Sequence, residues 1–268
     1  MSIVATRYPA ARELKVTQAR VVKSEWIKFW SLRSTIITLA ISIAVFIGIG
    51  LLASSMLGSG TGQGPGADIT SPVSASLAGA GLAELAFGTL GVLFMAGEYS
   101  TGMIRSSLAA VPKRLPVLWA KIAVFTGVVF VIGLAASAIA FTGGQAIAGA
   151  AGASWSDPGV ARAVIGTAFV LTGSGVLGIG LGALLRSTAA AISTVFGVMF
   201  LLSGLAGLLL PDSWGSALQY LPSNAADSIT AVTTSSGSLG PWAGLTVFAG
   251  YLVAVVAAAG WRLKRSDA

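Results

Sequence analysis

The chain has 268 residues, of which 55% are hydrophobic and only 9% are charged, whereas soluble domains have about 25% charged residues. So few charges cannot cover the surface of a soluble protein of this size, and we therefore expect lipid to cover much of it. The chain has no Cys and no His, which excludes disulfides, thiolate or His-ligated metal sites, a His general base and a Cys nucleophile.

The N-terminal segment, residues 1–33, contains seven Lys and Arg residues and precedes an apolar run that is too long for a cleavable signal peptide. Within this segment, residues 16–30 predict an amphipathic helix lying flat in the membrane interface, where Trp and Lys side chains are both favourable. One face of its helical wheel carries Ala19, Val22, Trp26, Phe29 and Trp30, and the opposite face carries Thr17, Ser24, Glu25 and Lys28. The candidate interfacial residues are Trp26, Lys28, Phe29 and Trp30. A plain juxtamembrane anchor is the alternative interpretation.

Six stretches that are almost free of charged residues follow along the chain, and each can hold one spanning helix of about 20 residues. None shows the apolar–polar alternation of membrane barrel strands. The predicted fold is therefore an all-α membrane protein with a single transmembrane domain over residues 1–268. The predicted spans are 35–57, 76–96, 118–141, 162–184, 188–210 and 242–261.

The positive charges predict the orientation of these spans. With six spans, fifteen of the sixteen Lys and Arg residues lie on one face, and only Arg162 lies on the other. Because Lys and Arg accumulate on the cytoplasmic side of short loops, the basic face and both chain ends are predicted to be cytoplasmic. The formal charge of +7 then reflects topology and anionic lipid in the cell inner (plasma) membrane rather than nucleic acid.

Glu84 is the one ionisable residue well inside a predicted span. It precedes Glu98 by fourteen residues, or about 21 Å along a helix. Gly81, Gly88 and Gly91 share its helix face, so that face is expected to pack closely against neighbouring helices. Glu84 is therefore a candidate for the lining of a translocation route, with a neutral or hydrogen-bonded Glu buried between helices as the alternative.

The polar loop between spans 2 and 3 predicts a short helix outside the bilayer. Thr101 is expected to cap this helix, which runs through residues 108–110, and Pro112 is expected to end it. Glu98 lies at the membrane edge within reach of a cationic partner, and an exposed Arg105 could dock into another protein. A solvated loop is the alternative.

Two Gly-rich stretches have different interpretations. Span 4 contains Gly178-x-x-x-Gly182, which permits close helix–helix approach. The tract 58–66 lacks the Lys of a phosphate-binding loop and predicts a flexible connection. Farther along, the long connection 211–241 predicts short helices at the interface, formed around Trp214, Leu218, Tyr220 and Leu221.

Three motifs together resemble the bacterial ABC-2 type transporter permeases, over roughly residues 17–262. The motifs are Gly97-Glu98-Tyr99-x-x-Gly102-x-Ile104-Arg105-x-x-Leu108 with Pro112 and Arg114 behind it, Trp26-x-Lys28 with Leu32-Arg33, and Leu221-Pro222-Ser223-Asn224-Ala225. Met103 departs from the pattern, in which Thr is frequent at that position.

The resemblance implies the membrane-spanning permease subunit of an ATP-binding-cassette exporter, which pairs with a second copy or a similar subunit and with separate ATPase subunits. In this family the flat N-terminal helix and the short coupling helix after span 2, here 17–30 and 98–112, contact the ATPase. The implied coupling residues are Glu98, Tyr99, Gly102 and Arg105. The chain itself has no ATP-binding motif, so it is not expected to be an enzyme or to hold a cofactor, and ATP and magnesium are expected on the partner.

Other classes of function make different demands on the sequence. An ion-coupled secondary transporter would have several intramembrane charges and repeated halves. A membrane-embedded enzyme would need convergent acid, base or nucleophilic groups within the spans. A non-transporting membrane anchor or sensor subunit makes no such demand. Lipids, peptides, antibiotics and polymers are all compatible substrates of an apolar bundle.

Overall fold

A computed structural model describes residues 17–58, 71–111, 113–233 and 237–265 of the chain. In these ranges the regular structure is entirely helical. The α-helices are α1 (Gln18–Ser31), α2 (Arg33–Gly58), α3 (Pro72–Ser76), α4 (Ala80–Ser100), α5 (Met103–Ala110), α6 (Leu115–Ala148), α7 (Val160–Leu185), α8 (Thr188–Phe196), α9 (Leu202–Leu209), α10 (Gly215–Leu218), α11 (Pro222–Thr230) and α12 (Pro241–Arg265). A π-helical turn, Gly197–Leu201, joins α8 to α9.

The prediction of six spanning helices is confirmed for the described residues. The helical stretches that are long and apolar enough to cross a membrane are Arg33–Leu57, Pro72–Ser100, Leu115–Ala151, Val160–Leu185, Thr188–Leu209 and Pro241–Arg265. The chain is therefore a multi-pass membrane protein. The predicted tract 58–66, apart from Gly58, lies outside the described residues, as do Pro112 and residues 1–16.

The third stretch runs ten residues past its predicted end at position 141 because its polar side chains find partners inside the protein. Gln145 donates from its Nε2 to the Pro72 carbonyl oxygen at 3.1 Å and to Ser76 Oγ at 2.6 Å. Its Oε1 accepts a hydrogen bond from the Ala153 backbone N–H at 2.6 Å. The polar residue that marks the end of an apolar run in the sequence thus connects α6 to α3.

Helix α7 is the central helix of the bundle. Of an apolar stretch of 18 residues within it, 78% is buried inside the protein. Its glycines allow direct backbone contact with α4, as predicted for span 4. A Cβ atom on Gly178 would collide with the Gly88 carbonyl oxygen, and one on Gly91 would collide with the Gly175 carbonyl oxygen. By contrast, only 11% of an apolar 18-residue stretch within Thr188–Leu209 is buried. This helical segment is therefore at the periphery and exposes apolar side chains suited to lipid.

The long connection before α12 contains short helices, as the sequence predicts. Trp214 and Tyr220 are exposed, whereas α11 is tucked against α7 and α12 through Ala225 and Ile229. Arg162, at the start of α7, donates to the carbonyl oxygens of Ile229 at 2.8 Å and Ala231 at 2.7 Å. These two bonds satisfy backbone acceptors at the C-terminal end of α11.

Candidate functional site

The ends of α1, α6 and α12 meet at one end of the bundle, and most of the described Lys and Arg side chains are found there. Gln18 Nε2 donates to the Pro116 carbonyl oxygen at 3.1 Å, and Arg114 donates to the Leu263 carbonyl oxygen at 3.4 Å. Arg162 is at the opposite end, beside α11. The structure therefore has one basic end, as the distribution of charges in the sequence predicts.

Four charged side chains form a network inside this basic end. Lys121 Nζ lies 2.7 Å from Glu25 Oε2 and 2.7 Å from Glu98 Oε1. Lys28 Nζ lies 2.8 Å from Glu25 Oε1 and 3.0 Å from Glu98 Oε1. Glu25, Glu98 and Lys121 are buried, and Lys28 is partly exposed. Glu25, Lys28, Glu98 and Lys121 are called the charge cluster below.

The charge cluster is electrically balanced and its remaining polar atoms have partners. Lys121 Nζ also donates to the Phe94 carbonyl oxygen at 3.2 Å. Ser107 Oγ accepts from Lys28 Nζ at 3.0 Å and donates to Glu98 Oε2 at 3.3 Å. Burying an ion costs several kcal/mol unless it is paired and hydrogen-bonded, so the network is favourable only while each buried charge keeps an opposite partner.

Aromatic rings enclose the network. Phe29 packs edge-on against Phe94 and Phe125, with ring centroids 5.4 Å and 6.3 Å apart. Lys121 Nζ lies 4.4 Å from the centroid of the Phe94 ring, a cation–π geometry. Because these rings cover one side of the network, its electrostatic interactions act in a medium of lower dielectric constant than water.

Lys28 connects the cluster to solvent and stays charged. Burial alone would lower the pKa of the Lys28 ammonium, but its hydrogen bonds and charge interactions with Glu25 and Glu98 outweigh burial and raise that pKa above its ordinary value. Lys28 therefore keeps its positive charge at neutral pH.

Helix α5 is the short helix that the sequence predicts after span 2, although its cap differs. Gly102, with φ of 72°, is the N-cap, because only a left-handed residue turns the chain sharply from α4 into α5. The prediction that Thr101 caps it is wrong, since its hydroxyl donates back to the Gly97 carbonyl oxygen at 2.9 Å. Ile104 is buried and anchors α5, while Arg105 is exposed on the outside of the molecule.

The structure separates the predicted residues of α1. Phe29 and Lys28 belong to the cluster or its aromatic wall, whereas Trp26 and Trp30 are 50% and 40% exposed. The helical wheel that placed Glu25 opposite Phe29 was wrong, because α1 buries Val21, Glu25 and Phe29 together. Residues four positions apart are only about 40° apart around a helix, so Glu25 and Phe29 share a face by helix geometry alone.

The other predicted coupling and route residues lie outside the charge cluster. Tyr99 is half-buried under the guanidinium of Arg186, whose Cζ lies 5.4 Å from the ring centroid. Glu84 is buried in α4, fourteen residues from Glu98. Its carboxyl has no hydrogen-bond partner in the part of the chain that the structure describes. It interacts electrostatically with Asp227 of α11.

Asp227 lies in a polar recess at the opposite end of the bundle. The recess has a volume of about 380 Å³ and is also lined by Gln219, Asn224 and Ser228. The Asp227 side chain is exposed at the recess. The protein atoms around it remove part of the hydration of its carboxylate, and this raises the pKa of the Asp227 carboxyl to about 6.

The sequence interpretation missed two of the four charges in the cluster. The sequence does not single out Lys121 among the fifteen basic residues of its face, although it is six residues inside α6, and the helical wheel puts Glu25 opposite the apolar face. The available signal was the spacing of Val21, Glu25 and Phe29, which recur every four residues on one helical face. Across the described residues, no group of three or more acidic side chains is arranged to hold a metal ion.

Comparison with known proteins does not extend this description: no family model matches the chain, and no curated protein matches it. The fold and the charge cluster define a class, a multi-pass membrane protein with six described helical stretches of membrane length and a buried ionic network at its basic end.

Proposed function

We propose that the chain is the permease subunit of an ATP-binding-cassette exporter of the ABC-2 type. It forms the translocation route in the cell membrane with a second copy or a similar subunit, and separate ATPase subunits drive it. The observation that carries this proposal is the charge cluster, which joins the short helix α5 to three other helices. The resemblance of the loop motif around Glu98 supports the same assignment.

The contacts of α5 are those needed to transmit a force. Ser107 bonds to Lys28 of α1 and to Glu98 of α4, and Glu98 in turn pairs with Lys121 of α6. A displacement of α5 would therefore move the spanning helices α4 and α6, and α1 in the interface with them. Arg105, which is exposed, offers a contact for a partner on the outside of α5.

The proposed orientation puts the charge cluster and α5 on the cytoplasmic side of the membrane, where ATP is available. Fifteen of the sixteen Lys and Arg residues fall on the α5 side of a six-span arrangement, and the positive-inside rule assigns that side to the cytoplasm. An ATPase at the basic end would meet α1 and α5 together. Glu84, fourteen residues farther along α4, would then face the route or the helices that enclose it.

The test is coupled ATP hydrolysis in the native complex. The chain is tagged in its source cells and purified from membranes. Subunits that copurify are searched by mass spectrometry for a phosphate-binding-loop peptide, and vanadate-sensitive ATPase is measured in nanodiscs. We expect such a subunit, and we expect Arg105→Ala to lower the coupled activity while leaving the subunit composition of the membrane complex otherwise intact.

Lys113→Ala is the matched control, because Lys113 is an exposed cation at the same end but lies beyond α5. Loss of activity in Arg105→Ala with normal activity in Lys113→Ala would support contact through α5. Absence of any ATP-binding subunit from the purified complex would contradict the transporter assignment. Equal activity of the two variants would contradict the role of Arg105.

A further inference from the structure

We propose that the end of the bundle opposite the charge cluster holds an anionic phospholipid, with its phosphate against Arg162 and an acyl chain in the adjacent groove. The groove has a volume of about 440 Å³ and lies between α6, α7, α11 and α12. This inference rests on the membrane-spanning fold and does not depend on the proposed transport function.

The groove has the chemistry of a lipid chain site. Apart from Arg162, its walls are almost entirely apolar, and Phe130, Ile165, Phe169, Trp242 and Leu245 contribute to them. Ile165 and Trp242 are 50% and 73% exposed, so the groove is open on the lipid-facing side of the bundle. Phe169 is seven residues beyond Arg162 on α7, about 10 Å deeper along the helix axis.

Arg162 supplies the polar end of the site. Its guanidinium has five N–H donors, of which two bond to the Ile229 and Ala231 carbonyl oxygens. Within the described ranges no carboxylate lies within ion-pair distance of it. Under a six-span arrangement it is also the one basic residue on its side of the membrane.

Charge complementarity decides the kind of occupant. A guanidinium without an acidic partner at the edge of a bilayer favours a phosphate, which can accept hydrogen bonds from the three N–H groups that the two carbonyl oxygens leave over. A headgroup whose only charge is its phosphate is favoured over a zwitterionic one, because the cation of a zwitterionic headgroup would lie close to the positive charge of Arg162 and be repelled by it. Trp242 at the first turn of α12 fits the headgroup level, where aromatic residues are enriched.

The test measures lipid binding to the intact chain by native mass spectrometry in detergent. Phosphatidylglycerol is titrated against phosphatidylcholine. We expect the wild type to prefer phosphatidylglycerol, and Arg162→Gln to weaken its binding about tenfold, the loss expected for a hydrogen-bonded charge contact. Lys23→Gln removes one exposed cation from the basic end and is expected to leave the affinity unchanged.

A second variant tests the groove without touching the α11 contacts. Ile165→Trp fills the groove and keeps Arg162, so it is expected to lower phosphatidylglycerol binding as well. In vesicles containing phosphatidylglycerol with brominated acyl chains, Trp242 fluorescence is expected to be quenched more than in brominated phosphatidylcholine. The Trp242→Phe variant isolates that contribution.

Three results would overturn the proposal. They are wild-type phosphatidylglycerol affinity in both Arg162→Gln and Ile165→Trp, equal binding of the two lipids by the wild type, and displacement of the lipid by equimolar glycerol phosphate. The last result would indicate a site for a free phosphate anion rather than for a membrane lipid.

Discussion

Replacing Lys121 with Met removes one charge from the centre of the cluster. Lys121 is 0% exposed and lies 2.7 Å from both carboxylates, which are themselves 1% and 4% exposed at Glu25 and Glu98. After the substitution only Lys28 faces the two carboxylates, so one buried negative charge has no partner. Removing one member of a buried pair costs about 3–5 kcal/mol, and we expect a loss of folding free energy of about 3 kcal/mol, at the lower end because Lys28 remains.

The assay is equilibrium unfolding of the purified chain in mixed micelles, followed by its helical circular dichroism signal. The double variant Lys121→Met with Glu25→Gln restores charge balance, because Lys28 then faces Glu98 alone. We expect it to regain at least about 1 kcal/mol relative to Lys121→Met, a coupling typical of residues in one network. Lys23→Met, which removes an exposed cation from α1, is expected to change stability by no more than about 0.5 kcal/mol.

The reasoning would be refuted if Lys121→Met were as stable as Lys23→Met, or if Glu25→Gln added to the damage. Either result would mean that the two carboxylates do not share a buried environment with Lys121. A simple loss of packing would also give a different pattern, because the isosteric Glu25→Gln change would then restore nothing.

Two other predictions follow from the packing and from the polar recess. Gly178→Ala places a methyl group against the Gly88 carbonyl oxygen and is expected to destabilise the bundle by about 1–3 kcal/mol in the same unfolding assay. Gly97→Ala, which has no atom within 4 Å of the added Cβ, is the control and should be neutral or slightly stabilising. Because the pKa of Asp227 rises from 3.8 to about 6 in the folded chain, the folded state binds the proton more tightly, and its contribution to stability is present below pH 3.8 and lost as the pH rises through 6. Asp227→Asn should remove that part of the pH dependence between pH 4 and 6, and an unchanged profile would contradict the raised pKa.

The spanning helices could be predicted from the sequence because membrane thickness and backbone hydrogen bonding permit few alternatives. Stretches free of charge had to be helices about 20 residues long, and six such helices are present. The extension of α6 beyond position 141 was missed because Gln145 looks like the end of a span until its partners on α3 are known. The sequence contains no information at that position about which helix is adjacent.

The candidate site was predicted only in part for a similar reason. The sequence singles out Glu98 and Lys28 individually, yet the second cation that pairs with Glu98 is Lys121, which is 96 residues from its other partner Glu25 along the chain. Residues so far apart meet only through tertiary packing, which neither periodicity nor local charge specifies. Glu25 is assigned to the solvent face because a charged side chain is expected to face water, whereas here a cation from α6 makes its burial favourable.

The charge cluster is not needed to hold the helices together if stability is the only requirement. Apolar side chains of similar volume give equal or greater stability at such sites. What the charges of the cluster add is a unique alignment, because Lys121 and Lys28 reach both carboxylates at 2.7–3.0 Å only when α1, α4 and α6 have one relative register. Ser107 extends that alignment to α5. Two helices in apolar contact can shift by part of a helical turn at little cost in free energy. A similar shift between helices that share the charge cluster would leave a charge unpaired. Under the proposed function, a push on α5 would therefore displace the spanning helices as a unit instead of being lost as slippage between them.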